Sequence, residues 1–425
     1  MARLALPPAA AILAAYARAR WLAARLNSRA RIEAWQQRRL RDFLNRRITA
    51  VDAYRDQAGR PLDTYPALDK ATMMARFERY NTLRLEAAAA RAAWQAGQAP
   101  PGFAIGASTG TSGNRGYYVI SDAERHAWLG VILARGLPGF WRQQLRLAVM
   151  LPTNSRLYDA ANESGRLALR FFDLNAGVES QAAAVEAWQP DVLIAPPKVL
   201  RLLADRDSAL APTHVFSGAE VLDPIDRAIV EARFSCVVRE IYMATEGLFA
   251  VACPHGRLHL LEDHVLFEWD DADGAGGLKA PVITDFTRRH QIMLRYRMND
   301  LLELDSQACP CGSSFTAVRA VAGRLDDVFR LNTAAGGRIA VTPDVIRNAV
   351  VDASPRIDDF RVVQNAPDRV ELSLPRSCAA ELGAAKCSLA ALFDRLGAAV
   401  TLTAELAELP PPGPGKLRRV RRTCA

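Results

Sequence analysis

Between residues 146 and 242 short apolar runs alternate with helical stretches, and this alternation restricts the fold more than any other feature of the chain. Arg146 to Leu151 (RLAVML) and Asp191 to Ala195 (DVLIA) are rich in Val, Ile and Leu, the composition of strands buried on both faces. His214 to Phe216 and Val237 to Tyr242 add two more strands. Helical patterns fill the intervals at Ala182 to Trp188, from Pro196-Pro197 through Ala204, and at Pro224 to Phe234. Proline suits the first helical turn, where its missing N–H is no loss. The spacing therefore predicts an α/β fold with a largely parallel sheet. In such sheets ligands sit beyond the carboxyl ends of the strands, which directs attention to the turns after Phe216 and Tyr242.

On either side of this region the pattern changes. Residues 9 to 50 read as helix, a loop carries Pro61 and Pro66, and Lys70 to Gly97 again reads as helix. A break at residues 99 to 102 leads to a Gly/Ser/Thr-rich loop at 106 to 116. After Gly277 short strands and turns are expected to about residue 320, then a polar, Gly-bearing linker from Gly323 to Gly337. The last stretch mixes strands and a helix over Leu389 to Leu396, and Pro410 to Pro414 reads as a loop. At 425 residues the chain exceeds one ordinary core. The expected organisation is an N-terminal domain over 1–322, mainly helical over 1–98, and a small α+β C-terminal domain over 323–425.

Charge and composition exclude several classes. No apolar run reaches membrane-spanning length, and Leu4 to Ala24 is interrupted by Arg18 and Arg20 and lacks a signal-peptide pattern. A cytoplasmic location and no integral membrane association follow as expectations. The net charge of +8 is concentrated in residues 1 to 60, which hold thirteen Arg against four Asp or Glu. This reads as a solvated helical face, with an anionic surface as the other reading. No nucleic-acid-binding pattern accompanies it, so no nucleic acid is expected as partner. Of 54 cationic residues only five are Lys, at 70, 198, 279, 386 and 416, so each is a candidate for chemistry that Arg cannot perform. Seven scattered Cys do not suggest a disulfide framework.

Six motifs carry chemistry. Ser108, Thr109, Gly110, Thr111, Ser112 and Gly113, followed by Asn114, Arg115 and Gly116, can aim backbone N–H groups and hydroxyls at phosphates. Ser217, Gly218, Ala219 and Glu220 form a small-residue turn against which a flat ring can lie. Tyr242, Met243, Ala244, Thr245 and Glu246 place a carboxylate beside a hydroxyl at a strand end, which suits phosphate-bound Mg²⁺. Asp300, after Arg295, Arg297 and Asn299, can accept both hydrogen bonds of a ribose diol or pair with a neighbouring Arg. Gly323 to Asp327 contains Arg324 and Asp326, and Lys416 follows Pro414 and Gly415 near the C-terminus.

The order of these motifs resembles the adenylate-forming superfamily of acyl-CoA synthetases. The chain length and the Cys-Pro-Cys-Gly segment resemble the phenylacetate–CoA ligase branch, as do Tyr54-Arg55, Leu68-Asp-Lys70 and Gly256 to His259. The resemblance spans residues 35 to 420 and implies roles by position. Ser108 to Gly113, with Arg115, would hold the β- and γ-phosphates of ATP. Gly218, Ala219 and Glu220 would line the adenine with Tyr242 near it, and Thr245 would contact the α-phosphate. Glu246 would hold Mg²⁺, and Asp300 the ribose of ATP and of the AMP product. Asp326 would be the hinge of a mobile C-terminal domain, with Arg324 beside it, and Lys416 would stabilise charge at the α-phosphorus.

The implied activity is ATP-dependent activation of a small carboxylic acid, with transfer to coenzyme A. Transfer to a carrier-protein thiol or an amine is the alternative, a non-catalytic homologue is a third reading, and a homodimer is one expected state. Met243 stands where the family commonly has Gly, so Met243 and Ala244 would border a pocket for a small or reshaped acid. Cys253, His259, Cys309 and Cys311 offer a soft ligand set for structural Zn²⁺, with His255 as a substitute ligand. Reduced thiols without metal are the alternative.

Overall fold

The computed structural model describes residues 7–108, 115–152, 167–271, 277–410 and 416–424. A twelve-stranded sheet organises the larger part of the molecule. From one edge its strands Leu167–Asp173, Leu145–Leu151, Val192–Ala195, His214–Gly218 and Val238–Met243 are mutually parallel. The sheet then continues antiparallel through Leu248–Ala252, Leu258–Leu260, Ala317–Arg324, Asp300–Asp305, Lys279–Asp285 and Val265–Asp271. The two-residue strand Tyr296–Arg297 pairs beside Lys279–Asp285. The strand–helix alternation of the sequence thus corresponds to the parallel half.

That half is covered on both faces, which explains its continuous apolar runs. Along one strand Leu147 and Val149 enter a core shared with helix Asp122–Gly136, and Ala148 and Met150 enter the opposite core. Helices Val178–Trp188, Pro197–Asp205 and Pro224–Phe234 cover this second face. Each fully buried Leu or Val contributes about 1.5–3 kcal/mol relative to exposure. Helix Asp122–Gly136 starts at a capping box in which the Ser121 and Glu124 side chains each accept from the other's backbone N–H. Glu124 Oε1 also accepts from Arg289 N at 2.8 Å and so fixes the helix to the antiparallel half.

Outside it lies helix Pro8–Arg25, seated against Gly130, where an added Cβ would stand 2.5 Å from Ile12 O. The helical stretch expected over 9–50 is two helices, because Ser28 caps Arg29–Asp42 by accepting from Arg31 N. The stretch over 70–97 is likewise divided into Lys70–Ala75 and Ala87–Gln95. Buried Asn81 lies between them, and its side chain bonds Phe77 O, Leu85 O and Leu85 N. These bonds satisfy the backbone outside a helix.

A separate core begins at Phe329. Its four-stranded sheet pairs Arg361–Ala366 antiparallel with Arg369–Pro375, and parallel strands Thr401–Ala407 and Val420–Arg422 flank this pair. Helices Pro343–Val351 and Leu382–Arg395 belong to the same core. Among the described residues, Ile225 is the one apolar side chain from before Phe329 packed against it. The expected linker over 323–337 is ordered structure. Arg324 ends a sheet strand, and Phe329–Asn332 pairs with Arg338–Val341. Gly323, at φ +151, allows close approach, since a Cβ there would meet Pro343 at 2.9 Å. Among the described residues no helix is long and apolar enough to cross a membrane.

Candidate active site

Past the carboxyl ends of the parallel strands, both parts of the chain surround a cavity of about 290 Å³. One wall is the hairpin of Phe103–Ala107 and Tyr117–Ser121. The neck of its loop is closed where Ser108 N donates to Gly116 O and Gly116 N donates to Ser108 Oγ, both at 2.8 Å. Thr109, Gly110, Thr111, Ser112 and Gly113 lie outside the described residues. Arg115 stacks over Trp94, 4.8 Å from the ring centroid, and does not line the cavity. Lys70 does, crossing Gly116 so closely that a Cβ there would stand 3.2 Å from its Cδ.

Two strand ends supply the floor. After His214–Gly218, Ala219 adopts φ +67, a left-handed conformation that costs an alanine on the order of 1 kcal/mol or more. Gly218 is not demanded by packing, since a Cβ there would meet only Ile241 O at 3.8 Å. Its bare backbone leaves room for a flat ligand. Glu220 pairs with Lys198 at 3.1 Å, the two side chains only 5% and 4% exposed, and Leu417 N lies 3.4 Å from its other oxygen. Burial raises the Glu220 carboxyl, with Lys198 opposing.

After Val238–Met243, Ala244 and Gly247 exchange backbone hydrogen bonds and turn Thr245 and Glu246 into the cavity. Glu246 accepts from the Thr245 hydroxyl at 2.8 Å and the Tyr296 hydroxyl at 3.1 Å. A largely buried carboxylate held this way, with oxygen lone pairs to spare, fits a hard cation such as Mg²⁺. Tyr242 donates to Asp300 Oδ2 at 2.9 Å, and burial followed by Asp300 raises its phenol well above the ordinary value.

Asp300 also faces Arg324 at 3.8 Å, whereas Arg295 pairs with Glu268 and Arg297 with Asp270. The neighbouring Arg residues expected as competing partners are therefore engaged elsewhere. Asn299 donates to Asp326 at 2.7 Å and joins the Asp300 strand to the segment before Phe329. Arg324, Asp326 and Lys416 line the cavity with them. Burial, and then Arg324, lowers the Lys416 ammonium below its ordinary value.

Opposite these charges the lining is apolar. Trp128, Leu129, Ile132, Leu151, Ile194 and Met243 border this end, and no ionisable group other than the Tyr118 phenol stands among them. Ala244 also lines the cavity. Tyr118 is a residue that sequence reasoning missed. Its ring crosses Gly106, where a Cβ would overlap it at 1.8 Å, and its hydroxyl has no hydrogen-bond partner among the described residues. Lys198 was marked only by the rarity of lysine, and Lys70 by that and by the Leu68-Asp-Lys70 resemblance.

The cysteine cluster lies apart from the cavity. Cys253, His259, Cys309 and Cys311 place four ligand atoms within 4.8 Å of one another. Cys253 and Cys309 sulfurs are 3.7 Å apart, and Cys311 Sγ is 3.3 Å from His259 Nε2. With Zn–S bonds of about 2.3 Å, a tetrahedron has S···S edges of about 3.8 Å, so the spacing fits zinc. His259 Nδ1 faces Phe315 O at 3.2 Å, the outer hydrogen bond that frees Nε2 for a metal.

No family model matches the chain. A phenylacetate–coenzyme A ligase of Thermus thermophilus is 27% identical over 168 residues, which is 36% of this chain and 38% of that ligase. The chain thus aligns with well under half the length of this curated relative. Among solved structures, 2-hydroxyisobutyryl-CoA ligase in its postadenylation state superimposes with a TM-score of 0.69 at 16% identity. The match covers 93% of this chain and 90% of the other. The fold is that of the adenylate-forming ligases. The same ligase in its thioesterification state covers 92% of this chain and 88% of its own, at 17% identity, and its TM-score falls to 0.50. Relative to one protein, then, this adenylate-forming fold overlaps the postadenylation arrangement better.

Proposed function

We propose that this chain activates a carboxylic acid with ATP and passes the acyl group to coenzyme A. The observation that carries the reading is the meeting of Glu246, Asp300, Arg324 and Lys416 around one cavity whose far end is apolar. The apolar end seats the tail of the acid and leaves its carboxylate at the charged end. Asp300 accepts from the ribose hydroxyls, and Gly218 and Ala219 lie under the adenine. A carboxylate oxygen then bonds to the α-phosphorus while the Pα–O bond to pyrophosphate breaks. Lys416 and Arg324 face the phosphate oxygens on which charge gathers. Glu246, supported by Thr245 and Tyr296, would hold Mg²⁺. That ion would supply positive charge against the phosphates. No protein nucleophile takes part. In the second half-reaction a thiol sulfur bonds to the acyl carbon, AMP departs, and the thiol proton passes to solvent or to AMP.

Met243 narrows the apolar end, so the acid is small or reshaped, with a tail that carries no charge. The better overlap with a postadenylation arrangement supports a reading in which Lys416 is seated for the first half-reaction, and Asp326 is the pivot of the later rotation. The Cys253, His259, Cys309 and Cys311 set holds a structural Zn²⁺, and the protein acts in the cytoplasm.

The deciding experiment is acid-dependent ATP–pyrophosphate exchange over a panel of carboxylic acids, followed by thioester detection with coenzyme A. Exchange with several uncharged small acids, and a thioester when coenzyme A is present, is expected. Exchange without thioester would transfer the second step to a carrier-protein thiol or an amine. No exchange with any acid would end the reading.

A further inference from the structure

Lys416 can act only if the C-terminal segment that carries it, just before strand Val420–Arg422, is held against the rest of the molecule. The grip is made three residues further on. Arg419 sends a two-pronged guanidinium into Asp226, Nη1 to Oδ2 at 2.6 Å and Nη2 to Oδ1 at 3.0 Å. Asp226 is 1% exposed and Arg419 9%. Asp226 lies in the first turn of helix Pro224–Phe234, whose cap residue Asp223 stands 3.8 Å from the same guanidinium. Arg419 Nε reaches Asp359 of the small core at 2.8 Å, and Arg419 O accepts from Val362 N at 2.7 Å. The backbone of Arg419 is therefore hydrogen-bonded to the four-stranded sheet just before strand Val420–Arg422, while its side chain is fixed to a helix of the large sheet. Arg201 repeats the connection, 3.7 Å from Asp226 and 3.5 Å from Asp358.

We propose that the Arg419–Asp226 fork is a clamp that seats Lys416 in the cavity for adenylation and must open before thiol transfer. The inference rests on the proposed function for its two half-reactions, but not for the contact itself. A bidentate buried pair is directional, so rotation of the small core breaks both hydrogen bonds at once. Lys416 is tied to this pair through two intervening residues, and Leu417 N is at the same time drawn toward Glu220. A shift of one ångström at Arg419 is therefore passed to the ammonium. Arg419 and Asp226 touch no substrate in this scheme and are positioning residues.

The test uses the full chain with Arg419→Lys, which keeps the charge and loses the fork, and Asp226→Asn, which keeps the shape and loses the charge. With the best acid from the panel, pyrophosphate exchange should fall on the order of 10- to 100-fold in kcat, the usual cost of misplacing a reacting group. KM for ATP should stay within about threefold, because binding itself is not removed. Thioester formation from presynthesised acyl-adenylate and coenzyme A should be unchanged or faster. Small-angle scattering of the ligand-free variants, which needs no substrate, should show a population more extended than wild type. Equal loss of both half-reactions, unchanged exchange, or a scattering profile identical to wild type would each overturn the clamp. So would failure of both variants to fold, which would make the pair a folding element. Absence of exchange in wild type would end the functional reading while the scattering result still judged the contact.

Discussion

In the proposed reaction Lys416 acts as a cation, and its surroundings work against that charge. Burial, and then Arg324, lowers its ammonium below the ordinary lysine value. The protonated form is the competent one, so competence is lost as pH rises through the lowered value. kcat/KM for ATP in the exchange assay is therefore expected to fall in alkali at a lower pH than an ordinary lysine would impose. Lys416→Arg, charged throughout, should abolish this limb while lowering the plateau. A limb that survives the substitution belongs to another group. Met243 gives a second expectation. Met243→Gly should raise kcat/KM about tenfold or more for acids one or two carbons longer, the usual worth of a methylene in an apolar pocket. Equal turnover of long acids by wild type and variant would remove Met243 from the pocket wall. Both residues were legible in the sequence, Lys416 through the scarcity of lysine and Met243 as a departure from a motif. Lys70 and Lys198 share the first signal and also lie at the site. Tyr118 was not legible, because its place depends on a cross-strand glycine, and cross-strand register is a long-range property.

Between elements, the closest approach that matters is the crossing of helices Pro8–Arg25 and Asp122–Gly136 at Gly130. A Cβ there would lie 2.5 Å from a backbone oxygen and 2.6 Å from Ala15 Cβ, neither of which can swing aside. Gly130→Val should therefore destabilise the protein by about 1–3 kcal/mol, the cost of overpacking. Urea denaturation should show a lower midpoint with an unchanged slope. An unchanged midpoint would mean that the first helix is not held by this contact. The helix Asp122–Gly136 also supplies Trp128, Leu129 and Ile132 to the apolar lining of the cavity, so the crossing supports that wall from behind. Four strands of the parallel half were readable because they are largely buried on both faces, whereas the edge strand Leu167–Asp173, exposed at Ala168 and Arg170, shows no continuous apolar run and was missed. The antiparallel half was readable only as short strands. Leu258–Leu260 and Tyr296–Arg297 are too short to display alternation, and their pairing is set by distant partners.

At the scale of the molecule the antiparallel half needs a tie, and the cysteine cluster is placed to be one. Cys253 follows strand Leu248–Ala252, just past Glu246, and His259 sits in the next strand. Cys309 and Cys311 lie in the connection between Asp300–Asp305 and Ala317–Arg324, strands that carry Asp300 and Arg324 at their ends near the cavity. A metal there would join the segments that hold two sides of the active site across about 50 residues of chain. The order of motifs announced both halves of that site but not this junction, nor the way the small core sits on the large sheet. That seating depends on pairs such as Arg419 with Asp226, which only folding brings together. Exhaustively dialysed protein is expected to retain about one zinc per chain, as closed four-ligand sites do. Cys309→Ser should lose the metal and lower Tm by about 5 °C or more, since metal affinity in such sites is folding free energy. Pyrophosphate exchange at a temperature below the new Tm should weaken chiefly through KM for ATP, because the turn bearing Glu246 and the strand bearing Asp300 lose their common anchor. Metal-free wild-type protein with the same Tm before and after chelation would leave four reduced thiol and imidazole groups and no tie.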